Sequence, residues 1–260
     1  MSNSETLPRL MLRERVIIQL AVTGVTALSW LYLVELWRAM PDMSAMASIA
    51  MPMAPRWTPS AFALTFAMWT VMMIGMMLPS AAPMILTFAA LSRRKERAVE
   101  RMMPVLLFAS GYLLVWTAFS LIATLLQWAL DRLGLLSPML TTTNALIGGA
   151  LFLMAGVYQL TPLKEACLRH CRSPFAFLFN RWRDGLNGAL GMGLEHGAYC
   201  LGCCWLLMTL LFVVGVMNLL WVAAITLFVL AEKLLRGGAW IARISGVVMA
   251  GYGIWLVVQV

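Results

Sequence analysis

Seven long apolar runs dominate the chain, at roughly 16–37, 60–91, 104–130, 142–161, 186–217, 218–235 and 238–259. Most match the ~20 residues a helix needs to cross a ~30 Å hydrocarbon core, and they lack the short period-two alternation of barrel strands. Only helices and closed barrels satisfy their own backbone in lipid, so a helical bundle is the architecture left. Composition agrees: of 260 residues, 62% are hydrophobic and 12% charged. Soluble domains carry about 25% charge, twice what this chain has for a water-facing surface. A soluble globular domain, a disordered chain and a disulfide-built secreted module are thereby excluded. The expectation is one all-α transmembrane domain over 1–260, a polytopic bundle of about seven spans.

The net charge of +8 would suggest nucleic acid in a soluble protein. Here the basic residues sit between apolar runs, so they report topology, and no nucleic-acid partner is expected. Arg9, Arg13 and Arg15 precede the first run, and Arg93-Arg94-Lys95-Glu96-Arg97 with Arg101 separates the second and third. Lys164, Arg169, Arg172, Arg181 and Arg183 separate the fourth and fifth, and Lys233 and Arg236 the sixth and seventh. The alternate connections hold only Arg38, Arg56 and Arg132, with Asp42 and Asp131. The positive-inside rule then sets the N-terminus inside and the C-terminus outside. The first run exceeds the ~7–15-residue core of a signal peptide, so it is expected to stay as a helix, although Ala45-Met46-Ala47 mimics a cleavage site.

The second and fifth runs are too long for a straight crossing, at about 32 residues or ~48 Å each. Pro79 and Pro83 lie in the second and free the carbonyls of Gly75 and Pro79; the fifth opens with Gly185, Gly188, Gly191, Gly193 and Gly197. Both are expected to be interrupted helices. Ala189, Gly193 and Gly197 also form a small-residue row suited to close helix contact.

The same two runs hold the unusual chemistry. Gly193 to Trp205 contains Glu195, His196, Cys200, Cys203 and Cys204. With His196 at zero on a helical wheel, Cys200 falls near +40°, Cys203 near −20° and Met192 near −40°, so an imidazole and two thiols share one stripe. Cys204 near +80° and Glu195 near −100° flank it, which casts Glu195 as a proton acceptor beside the ligands. Tyr199 and Met192 join it as supporting residues. One buried cysteine is ordinarily a small hydrophobe; three with a His and an intramembrane Glu point to a metal site. Met68, Met72 and Met76 recur every four residues as a ladder of thioethers, with Met73 and Met77 in a neighbouring row. Thioether is a soft, neutral donor suited to Cu(I), although adaptable packing is the plainer use of Met. Met40, Met43, Met46, Met51 and Met53 cluster in an expected outer loop, 38–59, and Cys167, His170 and Cys171 in an expected cytoplasmic loop, 162–185. That second group is a candidate metal or partner site.

Three segments together resemble a bacterial family, domain of unknown function 2182, described as predicted metal-binding integral membrane proteins. They are Met68-Trp69-x-x-Met72-Met73-x-x-Met76-Met77-x-Pro79-Ser80-Ala81-x-Pro83, then Tyr158-Gln159-x-Thr161-Pro162-x-Lys164-x-x-Cys167-x-x-His170-Cys171, then Gly193-x-x-His196-Gly197-x-Tyr199-Cys200-x-Gly202-Cys203-Cys204-Trp205. The resemblance implies a metal and a bacterial inner membrane, crossed many times. Soft ligands throughout favour Cu(I) over zinc. The resulting expectation is a membrane protein that handles Cu(I), as a permease or as a chaperone loading a cuproprotein partner. Two alternatives stand beside it: an enzyme, a thiol/disulfide oxidoreductase using Cys200 and Cys203, and an accessory subunit with a structural metal.

Overall fold

A computed structural model describes residues 3–49, 57–92, 102–135 and 145–259, with side chains from residue 13 to 39 in the first segment. The described residues are helical and carry no strand. In chain order the helices are α1 (Asn3–Ile49), α2 (Pro59–Ser92), α3 (Met102–Arg132), α4 (Ala145–Gln159), α5 (Pro162–Arg172), α6 (Pro174–Arg181), α7 (Gly185–Thr209), α8 (Leu211–Val214), α9 (Leu219–Leu234) and α10 (Gly238–Val258). Five stretches are long and apolar enough to cross a membrane: Arg13–Ala39, Pro59–Ser92, Met102–Arg132, Gly185–Val214 and Gly238–Val258. The remaining two expected spans are shorter. The fourth run ends at a 65° bend between α4 and α5, and the sixth is the 16-residue α9.

Two segments expected as loops are helical. The backbone of α1 continues to Ile49 through the Met- and Ala-rich stretch, residue types that favour a helix. Met51 and Met53 fall outside the described residues, as do the side chains of Met40, Met43 and Met46. The 162–185 segment forms α5 and α6. Thr161 caps α5, accepting the backbone N–H of Lys164 at 3.3 Å, and Pro162 occupies its first turn, where the missing donor costs nothing.

Pro79 and Pro83 do not interrupt α2, which runs unbroken from Pro59 to Ser92. The carbonyl of Gly75, freed by Pro79, is taken by the indole N–H of Trp30 on α1 at 3.3 Å. That is how a proline inside a membrane helix is tolerated. The glycines of α7 serve contact rather than a break. A Cβ on Gly193 would stand 2.1 Å from the Phe108 carbonyl oxygen, and one on Gly111 would stand 2.5 Å from that of Leu190. So α3 and α7 meet backbone to backbone, as small-residue rows allow. Gly149 and Gly156 on α4 meet Gly246 and Gly253 on α10 in the same way. The core lies between α2, α3 and α7, filled by Trp69, Met72, Met73, Met76, Met77, Phe88, Phe108, Tyr112 and Trp116.

Candidate metal centre

The α7 stripe faces inward as its spacing predicts: Met192, His196, Cys200, Cys203 and Cys204 are all buried. Cys200 has the most polar surroundings. Lys233 Nζ, from α9, donates to its Sγ at 2.9 Å, and the Tyr112 hydroxyl, from α3, lies 3.1 Å away. Lys233 also donates to Ser80 Oγ on α2 at 3.2 Å. Ser80 in turn donates to the Met77 carbonyl at 2.8 Å, which Tyr112 also reaches at 3.0 Å.

The other thiols converge on the same place. Cys203 and Cys204 donate to the Cys200 carbonyl at 3.1 and 3.0 Å, and Cys204 Sγ lies 3.9 Å from the thioether sulfur of Met77. Cys171, on α5, lies near enough to Cys200 and Cys203 for the thiols to act on one another electrostatically. Three α7 cysteines and Met77 thus gather in a buried space beside Lys233, Tyr112 and Ser80, with the half-buried Cys171 next to them. All five cysteines of the chain are free thiols. Among the described residues, no three His, Cys, Asp or Glu side chains are already set around one point as metal ligands. Two of the thiols are turned onto a backbone carbonyl of their own helix, an orientation that a χ1 rotation releases without moving the backbone.

The remaining candidates separate. His196 is buried in an aromatic box, its ring centroid 5.5 Å from Tyr112, 5.8 Å from Phe177 and 6.1 Å from Phe108. Its Nδ1 has no hydrogen-bond partner, so an imidazole nitrogen with spare capacity sits within the same core. Glu195, expected beside the thiols, points elsewhere: Arg181 holds it at 2.8 Å and Arg183 at 3.2 Å. At ~100° per residue, a neighbour of His196 on the helix faces a different element. Tyr199 stacks on His170, centroids 4.2 Å apart and rings parallel. Met68, Met72 and Met76 are buried in the core, but the row that reaches a thiol is the neighbouring one, through Met77.

Glu232 and Lys233 were not singled out as site residues by sequence reading. They look like a boundary ion pair, yet they part company. Lys164 Nζ donates to both carboxylate oxygens of Glu232, at 2.9 and 2.8 Å, leaving Lys233 to the sulfur. Gln159 donates to the same carboxylate at 2.9 Å and to Ser245 at 3.2 Å. The Tyr158-to-Cys171 motif proves to be a docking face. Tyr158 donates to the Gly202 carbonyl, Cys167 sits over Gly202, and His170 and Cys171 meet Tyr199 and the thiols. The signal was present in the sequence: Thr161-Pro162 opens a helix, and Cys167 and Cys171, four apart, share its face.

With this geometry in place, the comparisons acquire a definite meaning. The model of the family PpoB2, described as a copper chaperone, matches residues 66–256, a span that contains every residue of the centre. No curated protein and no solved structure matches the chain.

Proposed function

The chain belongs to this copper chaperone family, and from that premise we propose that it is a membrane-embedded Cu(I) chaperone. It takes the ion as cargo on the thiols of Cys200, Cys203 and Cys204 and gives it up to a cuproprotein partner. The observation that carries the reading is the gathering of three buried α7 thiols beside Met77, with the half-buried Cys171 of α5 next to them. Soft sulfur donors without a carboxylate among them suit Cu(I) better than zinc. Cys171 arrives on a separate short helix, which suits a ligand exchanged during transfer. His196, with its unpartnered nitrogen, is a further donor at the edge of the centre.

In this reading the protein sits in a bacterial inner membrane with seven crossings, N-terminus inside and C-terminus outside. The five long apolar helices support the membrane setting. α4 and α9 cross as short helices buried against their neighbours, and α5 and α6, with Arg169, Arg172, Arg181 and Arg183, lie on the cytoplasmic side. Reporter fusions at residues 50, 97 and 175 should read out, in and in. A reversed pattern would remove the orientation.

Metal analysis of the detergent-purified protein, reconstituted with Cu(I) without oxygen, tests the function. One copper per chain is expected for the wild type, and none is retained after Cys200→Ser or Cys203→Ser. Full occupancy in both variants would put the cargo elsewhere. A copper-free wild type whose thiols titrate as a redox pair would favour a thiol oxidoreductase instead.

A further inference from the structure

Among the described residues two lysines are buried, Lys164 at 1% exposure and Lys233 at 5%. Lys164 is neutralised by Glu232. Among the described residues Lys233 has no carboxylate partner; its ammonium rests on Cys200 Sγ and Ser80 Oγ. Cys200, Cys203, Cys204 and Cys171 all act on it electrostatically, as do Tyr112 and His196. Glu232, the residue before it on α9, is fully engaged by Lys164 and cannot turn to it. A lysine buried in a membrane protein without a carboxylate is costly unless its charge is used.

We propose that Lys233 is the specificity-determining residue of the sulfur centre: a fixed positive charge, held against Cys200, that admits a monovalent soft cation and disfavours a divalent one. This rests on the chaperone reading, because it takes the thiols as the cargo site. The electrostatics follow from charge alone. At a given position, a fixed unit charge repels a divalent ion twice as strongly as a monovalent one. In a buried site that repulsion is poorly screened by salt or water. For two ions held by the same set of thiolates, the attraction between the lysine and those thiolates cancels from the ratio, and only the charge of the ion is left. Sulfur softness favours Cu(I) over Zn(II) but accepts Cd(II), which is soft and divalent; a fixed charge separates these two. Ser80 holds the ammonium in place. Having donated its own proton to the Met77 carbonyl, it offers Lys233 only a lone pair.

The test is competition between Cu(I) and Cd(II) for the purified full chain, comparing wild type with Lys233→Gln, Lys233→Arg and Ser80→Asp. Sulfur-to-metal charge-transfer absorption reports binding independently of delivery in cells. Lys233→Gln should lower the ratio of Cu(I) to Cd(II) affinity at least tenfold, and Lys233→Arg, which keeps the charge, should hold it within about threefold. Ser80→Asp cancels the charge with the lysine retained, so it should lower the ratio as Lys233→Gln does and decides the matter if that variant fails to fold. A merely structural lysine would weaken both ions alike and leave the ratio unmoved, and that result overturns the proposal. A wild type that binds neither ion would sink the chaperone reading as well; Cu(I) binding with an unmoved ratio would sink the charge selection alone.

Discussion

Two consecutive residues of α9 end in opposite arrangements. Glu232 lies in a closed network, with Lys164 on both of its oxygens and Gln159 on one. Lys233 lies in an open one, its ammonium against a thiol and a hydroxyl. Positions one apart on a helix diverge by ~100°, so the first faces α4 and α5 while the second faces α2 and α7. In the closed network every charge is matched, and nothing is left for a ligand. In the open one, a cation is parked beside sulfur with no fixed anion among the described residues, and the proposed cargo site lies around it. Buried charge thus divides into structure and function by what completes it, not by how deep it lies.

The largest effect should come from breaking the closed network. Glu232→Gln strands the Lys164 ammonium in the interior, and loss of one partner of a buried pair costs about 3–5 kcal/mol. Folded yield and thermal unfolding in detergent should both fall sharply. The double replacement Lys164→Met with Glu232→Met should recover most of the loss, because well-packed apolar residues often substitute for a buried pair without penalty. On the open side, Cys200→Ser should leave folding nearly intact and reduce Cu(I) affinity by roughly 100-fold or more, which corresponds to about 2.7 kcal/mol. Equilibrium chelator competition measures it.

The pattern of success and failure in the sequence has a common physical cause. A helical wheel states which residues share a face, and so the buried stripe of His196, Cys200 and Cys203 was legible, as were the carbonyl freed at Gly75 and the all-helical class. A wheel does not state which helix lies opposite. The acceptor role of the Gly75 carbonyl for Trp30, the turn of Glu195 toward Arg181 and Arg183, and the selection of Met77 over Met72 are all facts about packing between elements far apart in sequence. α5 was hidden for another reason. Its charged residues read as a loop at a membrane surface, whereas Lys164 and Leu168 are buried and the charge they carry inward is neutralised by a residue 68 positions away.

The two smaller predictions sharpen the comparison at the methionines and the surface. Met77→Leu should lower Cu(I) affinity several-fold, while Met72→Leu changes it within about twofold; each swap conserves volume and should cost under ~1.5 kcal/mol of stability. Equal effects would make the thioether contact with Cys204 incidental. Smallest of all, Arg183→Ala removes one of two exposed partners of Glu195. It should change stability by no more than about 1 kcal/mol and leave metal binding unaltered, as read by unfolding and by copper retention. A drop in copper retention would return Glu195 to the centre.

The glycine seam between α3 and α7 has a mechanical consequence. With backbone seated on backbone at Gly111 and Gly193, these two helices have no side chain between them to compress at that point, and together they act as an anvil. Tyr112 and the three α7 thiols are mounted on it, so their spacing is set by a close backbone joint. Any give needed to admit or release an ion falls to the short helix that carries Cys171. Backbone amide exchange should accordingly be slow across the middle of α3 and α7 and faster in α5.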